Sequence, residues 1–495
     1  MESEDVGSSA QPNPQRWRAL FVLALVQFML VLDNTVVNVA LPSVQRDLGL
    51  SPTGLAWVVN AYVITFGGLL LLGGRVADGA GRRRTYLVGV LLFAVASGAC
   101  GAAQDGGTLI ASRFVQGLGA AAVAPAALSM VTLLFTDAAE RARAFSIWGG
   151  LAALGGTTGV VLSGVLADLA SWRWIFFVNL PVAAFCLVAL PRLVAESRAP
   201  VRRRPDWAGA ALATTSLVSL IYALLEAGLS GWGRAETAVP LVVSMVAGAG
   251  FMVVEASSRE PLVPLRFLRH RTRATAYVAG LAVMAAFFAT FFSVTLFLQD
   301  VLGFSPLRAG LAYVPYGVAL VIGIAASSAA TRRHGARSVL APGLLVACAG
   351  LTVLSRLTAD GSYVDDLLLG LVVLGLGNGL AIPAVTLAGL SDVRPAEVGL
   401  ASGLQNTVLQ VGGAVGLAAL VSLGTAHARG LDAGGLSAAA AATAGFGWSF
   451  RIGAAVLLAS AVAVVLGQRG RSSSRPPSPS VPSDHPSGST TLGGS

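Results

Sequence analysis

Two charged side chains fall inside long apolar stretches of this 495-residue chain, where they could carry chemistry. Asp33 is the only acidic residue that we place well inside such a stretch, and Arg113 enters another stretch at a similar depth. A lone carboxylate inside a bilayer is costly, so it is expected to hold a proton or a cationic partner. We hypothesise that both side chains face one water-filled cavity, with Asp33 carrying protons and Arg113 tuning its proton affinity. The alternative is a permanent pairing of Asp33 with Arg113 or Asn34 that only joins helices.

The composition explains why so few charges are available, because it is that of a membrane protein. Hydrophobic residues make up 55% of the chain and charged residues 12%, and the mean hydropathy is +0.74. A soluble protein spends about a quarter of its residues on charge, so a soluble enzyme, a disordered chain and a disulfide-linked chain are excluded. The cysteines and histidines have no ligand spacing, so we expect no metal site and no histidine proton relay. They are Cys100, Cys186, Cys348, His270, His334, His427 and His485.

Fourteen apolar runs are long enough to cross the hydrocarbon core of a bilayer as helices. Their centres lie near residues 30, 64, 94, 122, 156, 184, 218, 247, 286, 318, 347, 378, 411 and 456. The runs do not alternate apolar and polar residues as barrel strands do, and the glycines spread through them suit close helix packing. The predicted fold is an all-α integral membrane protein.

The basic residues, all 33 of them arginine, set the orientation of these helices. Of the 33, 25 lie in the two tails and every second loop, 7 lie in the intervening loops, and Arg113 alone lies within a run. Basic residues concentrate on the cytoplasmic side of a membrane, so both termini are expected in the cytoplasm. Because these arginines stand in short loops between apolar runs, the net charge of +9 indicates membrane topology and no nucleic-acid partner.

Short motifs recur at a nearly constant offset and indicate two similar halves. The segment LGLSP at 48–52 recurs as LGFSP at 302–306, and GLG at 117–119 recurs at 375–377. The runs centred near 218 and 247 have no counterpart, so we predict two pseudo-symmetric six-helix bundles with an inserted central helix pair, a plan like that of many secondary transporters. The predicted divisions are a disordered tail at 1–16, the N-terminal bundle at 17–196, a linker with the inserted pair at 197–258, the C-terminal bundle at 259–467 and a second disordered tail at 468–495.

The loop after the second run carries a recognisable motif. Its sequence at 74–83, GRVADGAGRR, resembles the signature loop of the major facilitator superfamily. Three further segments resemble the 14-helix drug:proton antiporter branch, namely LDNTVVNVALP at 32–42, RFVQGLG at 113–119 and WRWIFFVNLP at 172–181. The resemblance covers residues 17–467. It implies a cytoplasmic gating loop formed by Gly74, Asp78, Gly81, Arg82 and Arg83.

The resemblance also implies partners for this loop. Asp78 would hold a helix N-terminus in the second half, and Arg82 would pair with Asp137 or Glu140 below the fourth run. The antiporter motif of the fifth run is present only in part, because Val160 stands where the family has a proline. Its packing glycines remain as Gly155, Gly156, Gly159 and Gly164.

Aromatic and neutral polar residues within the runs are candidates for a substrate cavity. Phe287 and Phe291 are four residues apart and share a helix face, which could form an apolar wall for an aromatic substrate. Lipid-facing filler is the alternative for these rings, and interhelical hydrogen bonding is the alternative for the polar residues. The polar candidates are Asn38, Gln116, Asn378, Gln405, Asn406 and Gln410.

Together these features predict proton-coupled efflux of amphipathic organic molecules, such as drugs or antibiotics, by alternating access. We expect no catalytic residues, no metal and no cofactor besides the proton gradient. The expected partners are a small amphipathic substrate, protons and the lipid of a bacterial cytoplasmic membrane, with the protein acting as a monomer. The nearest alternative is a transporter of the same fold dedicated to one natural product or metabolite, by export or uptake. A membrane sensor or an intramembrane enzyme has less support, because the tails are short and Asp33 with Arg113 supplies no nucleophile.

Overall fold

The structure, a computed structural model, describes residues 15–198, 206–258, 263, 270–391, 393 and 398–468. Within these residues all regular secondary structure is helical, and 14 helices are long and apolar enough to cross a membrane. Each run centre predicted from the sequence falls inside one of these helices, so the expectation of an all-α protein with 14 spans is confirmed. The predicted disordered tails lie outside the described residues, apart from the few that adjoin the first and last helices.

Sixteen α-helices build the described part of the chain. They are α1 (Arg16–Leu48), α2 (Pro52–Ala80), α3 (Arg82–Ala102), α4 (Gly106–Leu134), α5 (Ala138–Leu169), α6 (Trp174–Phe177), α7 (Asn179–Leu193), α8 (Trp207–Ser230), α9 (Ala235–Ser257), α10 (Arg271–Leu296), α11 (Pro306–Ala312), α12 (Val314–His334), α13 (Ala336–Leu354), α14 (Leu369–Gly389), α15 (Val398–Ala433) and α16 (Ala438–Gln468). A π-helical turn, Phe297–Val301, extends α10, and another, Tyr363–Leu368, leads into α14. Helices α6 and α7 form one span together, as do α11 and α12.

Short polar side chains begin several of these helices. Ser51 before α2 and Ser305 before α11 each accept a hydrogen bond from the N–H three residues later. Each serine is followed by a proline, whose backbone is already arranged for the first helical position. Asp105 begins α4 by accepting hydrogen bonds from the hydroxyl and N–H of Thr108, and these bonds hold the pKa of this exposed carboxyl below its usual value. The local sequence therefore determines each of these three helix starts.

Small residues let the helices approach one another closely. A Cβ atom at Gly73 of α2 would overlap the Ala121 carbonyl of α4, and one at Gly377 of α14 would overlap the Ala347 backbone of α13. Such contacts hold membrane helices together where lipid removes the hydrophobic driving force. We refer to α1–α7 as the N-terminal group and to α10–α16 as the C-terminal group.

Helix α8 of the inserted pair contacts both groups. A Cβ atom at Gly68 of α2 would lie 3.4 Å from Thr214 Oγ1 of α8, and one at Gly228 of α8 would lie 2.8 Å from Ser422 Cα of α15. Arg429 of α15 also donates to the Gly228 carbonyl oxygen at 3.1 Å. Helix α8 therefore lies beside α2 and α15, and α9 packs against α8. The pseudo-twofold relation and the domain boundaries given above remain predictions.

The two groups meet closely at one end of the bundle. We call the end that carries Arg82 the arginine-rich end, and the end where α1 stops at Leu48 the arginine-poor end. At the arginine-poor end Gln299 Nε2 donates to the Val39 carbonyl oxygen at 2.7 Å. A Cβ atom at Gly164 of α5 would lie only 2.7 Å from the Pro306 carbonyl oxygen of α11. Side-chain and backbone contacts thus join the groups at this end.

Candidate functional site

The two charged residues singled out in the sequence meet inside the N-terminal group. Arg113 Nη1 of α4 lies 2.7 Å from Asp33 Oδ2 of α1, and both side chains are fully buried. A charge-assisted hydrogen bond at this distance offsets the cost of placing either charge in an apolar interior. The ion pair can therefore persist at a depth where a single carboxylate could not.

Two amide side chains complete the bonds to the Asp33 carboxylate. Gln116 Nε2 donates to Asp33 Oδ1 at 2.8 Å, and Asn179 Nδ2, from the first residue of α7, donates to the same oxygen at 2.9 Å. Gln116 Oε1 accepts from Arg113 Nη1 at 2.8 Å, which closes a ring of hydrogen bonds. We call the set Asp33, Arg113, Gln116 and Asn179 the Asp33 cluster. Gln116 was expected in the substrate cavity, but the structure places it fully buried in this cluster.

Aromatic rings pack against the Arg113 guanidinium group. The guanidinium carbon lies 4.5 Å from the centre of the Tyr62 ring and 5.7 Å from that of Phe176. Arg113 Nε donates to the Val58 carbonyl oxygen at 3.1 Å, while Nη2 has no hydrogen-bond partner in the part of the chain that the structure describes. The sequence hypothesis placed Asp33 and Arg113 on a water-filled cavity. Here these rings and the packed helices keep both side chains out of contact with solvent.

Sequence reasoning did not single out two residues of this site. Asn179 stands in the WRWIFFVNLP segment, which was used for its resemblance and not for its amide. Ser97 of α3 accepts a hydrogen bond from Asn179 Nδ2 at 3.1 Å and donates to the Phe176 carbonyl oxygen at 2.8 Å. A serine in an apolar helix does not indicate such a contact, so Ser97 could not be predicted from the sequence. A polar amide beside an apolar run, as at Asn179, could have been recognised as a candidate.

A second set of candidate residues gathers on one side of the C-terminal group. The Phe287 and Phe291 rings of α10 lie 4.6 Å apart, and Phe291 stacks on Tyr313 at 4.7 Å with the planes 7° apart. Tyr316 of α12 packs edge-on against Phe291 at 5.1 Å, and its hydroxyl accepts a hydrogen bond from Asn378 Nδ2 at 3.1 Å. Phe287 is only partly buried, and it packs against both of the large hydrophobic clusters of the bundle. The rings of α10 and α12 therefore form one aromatic cluster with a partly exposed edge at Phe287.

The remaining polar candidates are dispersed. Asn38 of α1 is buried, donates to the Asn34 carbonyl oxygen at 3.1 Å, and lies on a different part of the bundle from Asn378. On α15, Gln405 is buried near Gly389, Gln410 packs against Gly67, and Asn406 is exposed. The two side-chain atoms of Gln405 have no hydrogen-bond partner among the described residues. The structure therefore does not bring all six expected polar residues into one pocket.

The predicted gating loop binds the N-terminal group itself. Arg82 Nη2 lies 2.8 Å from Asp78 Oδ1, and Glu140 instead accepts from Arg16 at 2.7 Å. The expected pairing of Arg82 with Asp137 or Glu140 is therefore wrong for this structure. Asp78 lies four residues before Arg82, across the turn at Gly81, and pairs with it there.

Glu196, which follows α7, holds the start of α3. Its two carboxylate oxygens accept from the N–H groups of Arg83 at 3.0 Å and Arg84 at 2.9 Å. A carboxylate at a helix N-terminus satisfies unpaired N–H groups and the helix dipole. The positive φ of 117° at Gly81 allows the sharp turn between α2 and α3 that exposes those groups. In the same turn region, Gly74 packs against Pro125.

The packing glycines of α5 divide between two neighbours. A Cβ atom at Gly155 would lie 2.8 Å from the Phe28 carbonyl oxygen of α1, and Gly156 and Gly159 face the same helix. Gly164 instead faces Pro306 of the C-terminal group. One motif thus joins α5 both to its own group and to the other.

A family model described as Major Facilitator Superfamily matches residues 23–417. The puromycin resistance protein pur8 of Streptomyces alboniger is 40% identical over 418 residues, which cover 84% of this chain and 83% of that protein. The cephamycin export protein CmcT of Amycolatopsis lactamdurans is 39% identical over 409 residues, which cover 82% of this chain and 84% of that protein.

A solved structure shows the same architecture. The crystal structure of the POT family transporter PepTSo superposes with a TM-score of 0.67 at 17% identity, covering 91% of this chain and 98% of that one. At this identity the likeness concerns the fold alone. Because the family model spans well over half of the chain, and the relatives match along most of their own length, the chain belongs to the major facilitator superfamily of membrane transporters.

Proposed function

We propose that the protein exports amphipathic organic molecules, such as drugs or antibiotics, in exchange for protons. The observation that carries the proposal is the fully buried Asp33–Arg113 pair at 2.7 Å inside a transporter fold. Intramembrane ionisable residues are rare and commonly mark proton routes. The resistance and export roles in the names of the two relatives support an outward direction of transport.

Alternating access requires that the two helix groups open at one end while they stay closed at the other. The Gln299–Val39 hydrogen bond and the close approach of Gly164 to Pro306 join the groups at the arginine-poor end. Asp78 of the gating loop binds Arg82 of its own group. By the positive-inside rule the arginine-rich end is cytoplasmic, with both termini on that side. With this orientation, the contacts at the arginine-poor end would restrict access from the outside.

In the proposed cycle, ionised Asp33 is held by Arg113, Gln116 and Asn179. Opening of the outer end admits water to the Asp33 cluster, and a proton from the outside neutralises the carboxylate and weakens its bond to Arg113. The neutral cluster favours return to the inward-open state, where the proton is released. A ligand or proton shifts such an equilibrium only through its different affinities for the two states.

The aromatic cluster supplies the proposed substrate wall. Phe287 is partly exposed, and Phe291 and Tyr316 back it. Stacked and edge-on rings suit a flat apolar substrate, and Asn378 beside Tyr316 offers a polar group that could fix its orientation. No catalytic step is part of this function.

The test is transport in liposomes that contain purified protein and an imposed pH gradient. A panel of amphipathic compounds, with puromycin included, would be followed by uptake into vesicles whose protein is oriented with its cytoplasmic side outward. We expect acidification of the vesicle interior to drive uptake, and we expect Asp33→Asn to abolish the gradient-driven component. Asp105→Asn is the matched control, because that aspartate is an exposed helix cap outside the spans. Full gradient-driven transport by Asp33→Asn would contradict the proton-carrier role.

The same panel separates broad export from a dedicated role. The export protein for cephamycin among the relatives favours the second candidate, a transporter of one natural product. Transport of many unrelated amphipathic compounds with similar apparent affinity supports broad export. Transport of one compound class alone supports a dedicated transporter. Movement of a compound in the same direction as the protons would indicate uptake.

A further inference from the structure

The hydrogen bonds around Asp33 all run in one direction. Arg113 Nη1 donates to Oδ2, while Gln116 Nε2 and Asn179 Nδ2 donate to Oδ1. An ionised carboxylate only accepts hydrogen bonds, so these three donors match it. A protonated carboxyl group carries an O–H that needs an acceptor, and none of the three atoms that face it can accept.

One of the three partners must therefore turn when Asp33 takes up a proton. Arginine has no acceptor atom at all. Gln116 is held in its present orientation because its Oε1 accepts from Arg113 Nη1 at 2.8 Å. If Gln116 turned, its NH₂ group would face the guanidinium donor. Neither residue can present an acceptor without losing another bond.

Asn179 is free of this constraint. Its Nδ2 donates to Asp33 Oδ1 and to Ser97 Oγ at 3.1 Å, and Ser97 donates its own proton to the Phe176 carbonyl oxygen at 2.8 Å. A hydroxyl group both donates and accepts and rotates freely. If the Asn179 amide turns over, its Oδ1 accepts from the Asp33 O–H, and the Ser97 hydroxyl rotates to donate to the same Oδ1. The Phe176 carbonyl oxygen keeps its hydrogen bond from the Val178 N–H.

We propose that Asn179 is a positioning residue whose side-chain amide turns over when Asp33 is protonated, so that the cluster accommodates both charge states. Only the proton bound to Asp33 is gained in this step, and every other change is a rotation. The inference rests on the proposed role of Asp33 as the proton carrier. Asn179 is the first residue of α7, directly after the break that separates it from α6.

The position of Asn179 on α7 also connects the rotation of its amide to the gating loop. The segment beyond the other end of α7 carries Glu196, whose carboxylate holds the start of α3 next to the gating loop. A shift of α7 that follows the turn of Asn179 would therefore reach the gating loop through one helix and one cap.

The other titratable groups that act on Asp33 stand on neighbouring helices. They are Arg113 from α4, Tyr62 from α2 and Cys100 from α3. The test must leave all three unchanged, so it alters only Asn179 and Ser97. The variants are Asn179→Leu, Asn179→Asp and Ser97→Ala, with Ser449→Ala as the control. Ser449 is another buried serine, and it donates only to helix carbonyls of α15 and α16.

Two measurements are made on each full-length variant. The first is the pH at which the Asp33 carboxyl is half protonated, from infrared difference spectra of the purified protein assigned with Asp33→Asn. The second is the pH of half-maximal gradient-driven transport of puromycin. The first measurement does not depend on transport, so it tests Asn179 even where the proposed function fails.

We expect Asn179→Leu to move the infrared midpoint upward by about one pH unit, because the ionised form loses a charge-assisted hydrogen bond and the protonated form loses only a weaker neutral one. Asn179→Asp should move it further, because an ionised aspartate at 179 accepts from the protonated form and repels the ionised one. Ser97→Ala should give a smaller shift in the same direction, and Ser449→Ala none.

Unchanged infrared midpoints in both Asn179 variants would overturn the inference, and so would a larger shift in Asn179→Leu than in Asn179→Asp. Infrared midpoints that move as expected while the transport midpoints stay fixed would support the role of Asn179 and refute proton coupling through Asp33. A wild-type Asp33 that never protonates over the accessible pH range would overturn both proposals.

Discussion

Removal of the Arg113 side chain tests how the buried ion pair contributes to stability. In Arg113→Leu the Asp33 carboxylate keeps its bonds from Gln116 and Asn179 but loses the guanidinium group that pairs with it at 2.7 Å. An uncompensated buried charge typically costs about 3–5 kcal/mol. The carboxylate escapes part of this cost by binding a proton, so the penalty depends on pH.

The size of the pH effect follows from the ordinary titration of aspartate. Free aspartate titrates near pH ~3.9 and one pH unit is worth about 1.4 kcal/mol, so keeping a proton on the carboxyl costs about 4 kcal/mol at pH 7 and about 1.5 kcal/mol at pH 5. The folded variant then binds a proton that the unfolded chain releases. Its stability therefore falls as the pH rises from about 5 to about 7.

The assay is unfolding in detergent micelles, followed by the reaction of the buried thiols of Cys100 and Cys186 with a maleimide dye. We expect Arg113→Leu to lose about 4 kcal/mol of unfolding free energy at pH 7 and clearly less at pH 5. The double variant Asp33→Asn/Arg113→Leu should recover most of that stability, because no charge is left buried, yet remain inactive in gradient-driven transport. A loss below about 1 kcal/mol at pH 7, or one that does not change with pH, would refute the reasoning.

Three further predictions concern the loop, the outer contact and the aromatic wall. Glu196→Ala should lower the unfolding free energy by about 1–2 kcal/mol, because two N–H groups of α3 lose their cap. Glu196→Gln should cost less, and equal losses in a thermal unfolding assay would argue against capping. Gly164→Ala should push α5 away from Pro306 and raise the alkylation rate of a cysteine introduced at Val39, whereas Gly150→Ala, with nothing within 4 Å, should not. Equal rates in the two variants would show that this contact does not close the outer end. Phe291→Leu should raise the KM for aromatic substrates through loss of its stacking on Tyr313, with the pH midpoint of transport unchanged. An unaltered KM would exclude the aromatic cluster from the substrate site.

The spans were predictable because they depend on chain-local hydrophobicity. Lipid demands about 20 apolar residues for each crossing helix, whatever lies beside it. Helix starts such as those at Ser51 and Asp105 were equally local. The expected meeting of Asp33 and Arg113 rested on their similar depth in two apolar runs, whereas their contact depends on the packing of α1 beside α4.

The partners of the gating loop were mispredicted because they depend on competition between neighbours. The sequence offers Arg82 three acids, Asp78, Asp137 and Glu140, and the structure pairs it with Asp78, four residues earlier. Glu140 is engaged by Arg16, a residue 124 positions away. That contact depends on the packing of α1 beside α5, which no local pattern encodes.

Taken alone, the sequence determined that this chain is a membrane protein with 14 spans. It also determined that two charged residues lie within those apolar spans, where charges are rare. Those properties follow from the free energy of transferring side chains into hydrocarbon, which is a sum over residues. Only the tertiary structure decided that Gln116 and Asn179 donate to the Asp33 carboxylate and that Ser97 accepts from Asn179. The reason is that a hydrogen bond needs two atoms within about 3 Å, and that distance is set by how the helices pack.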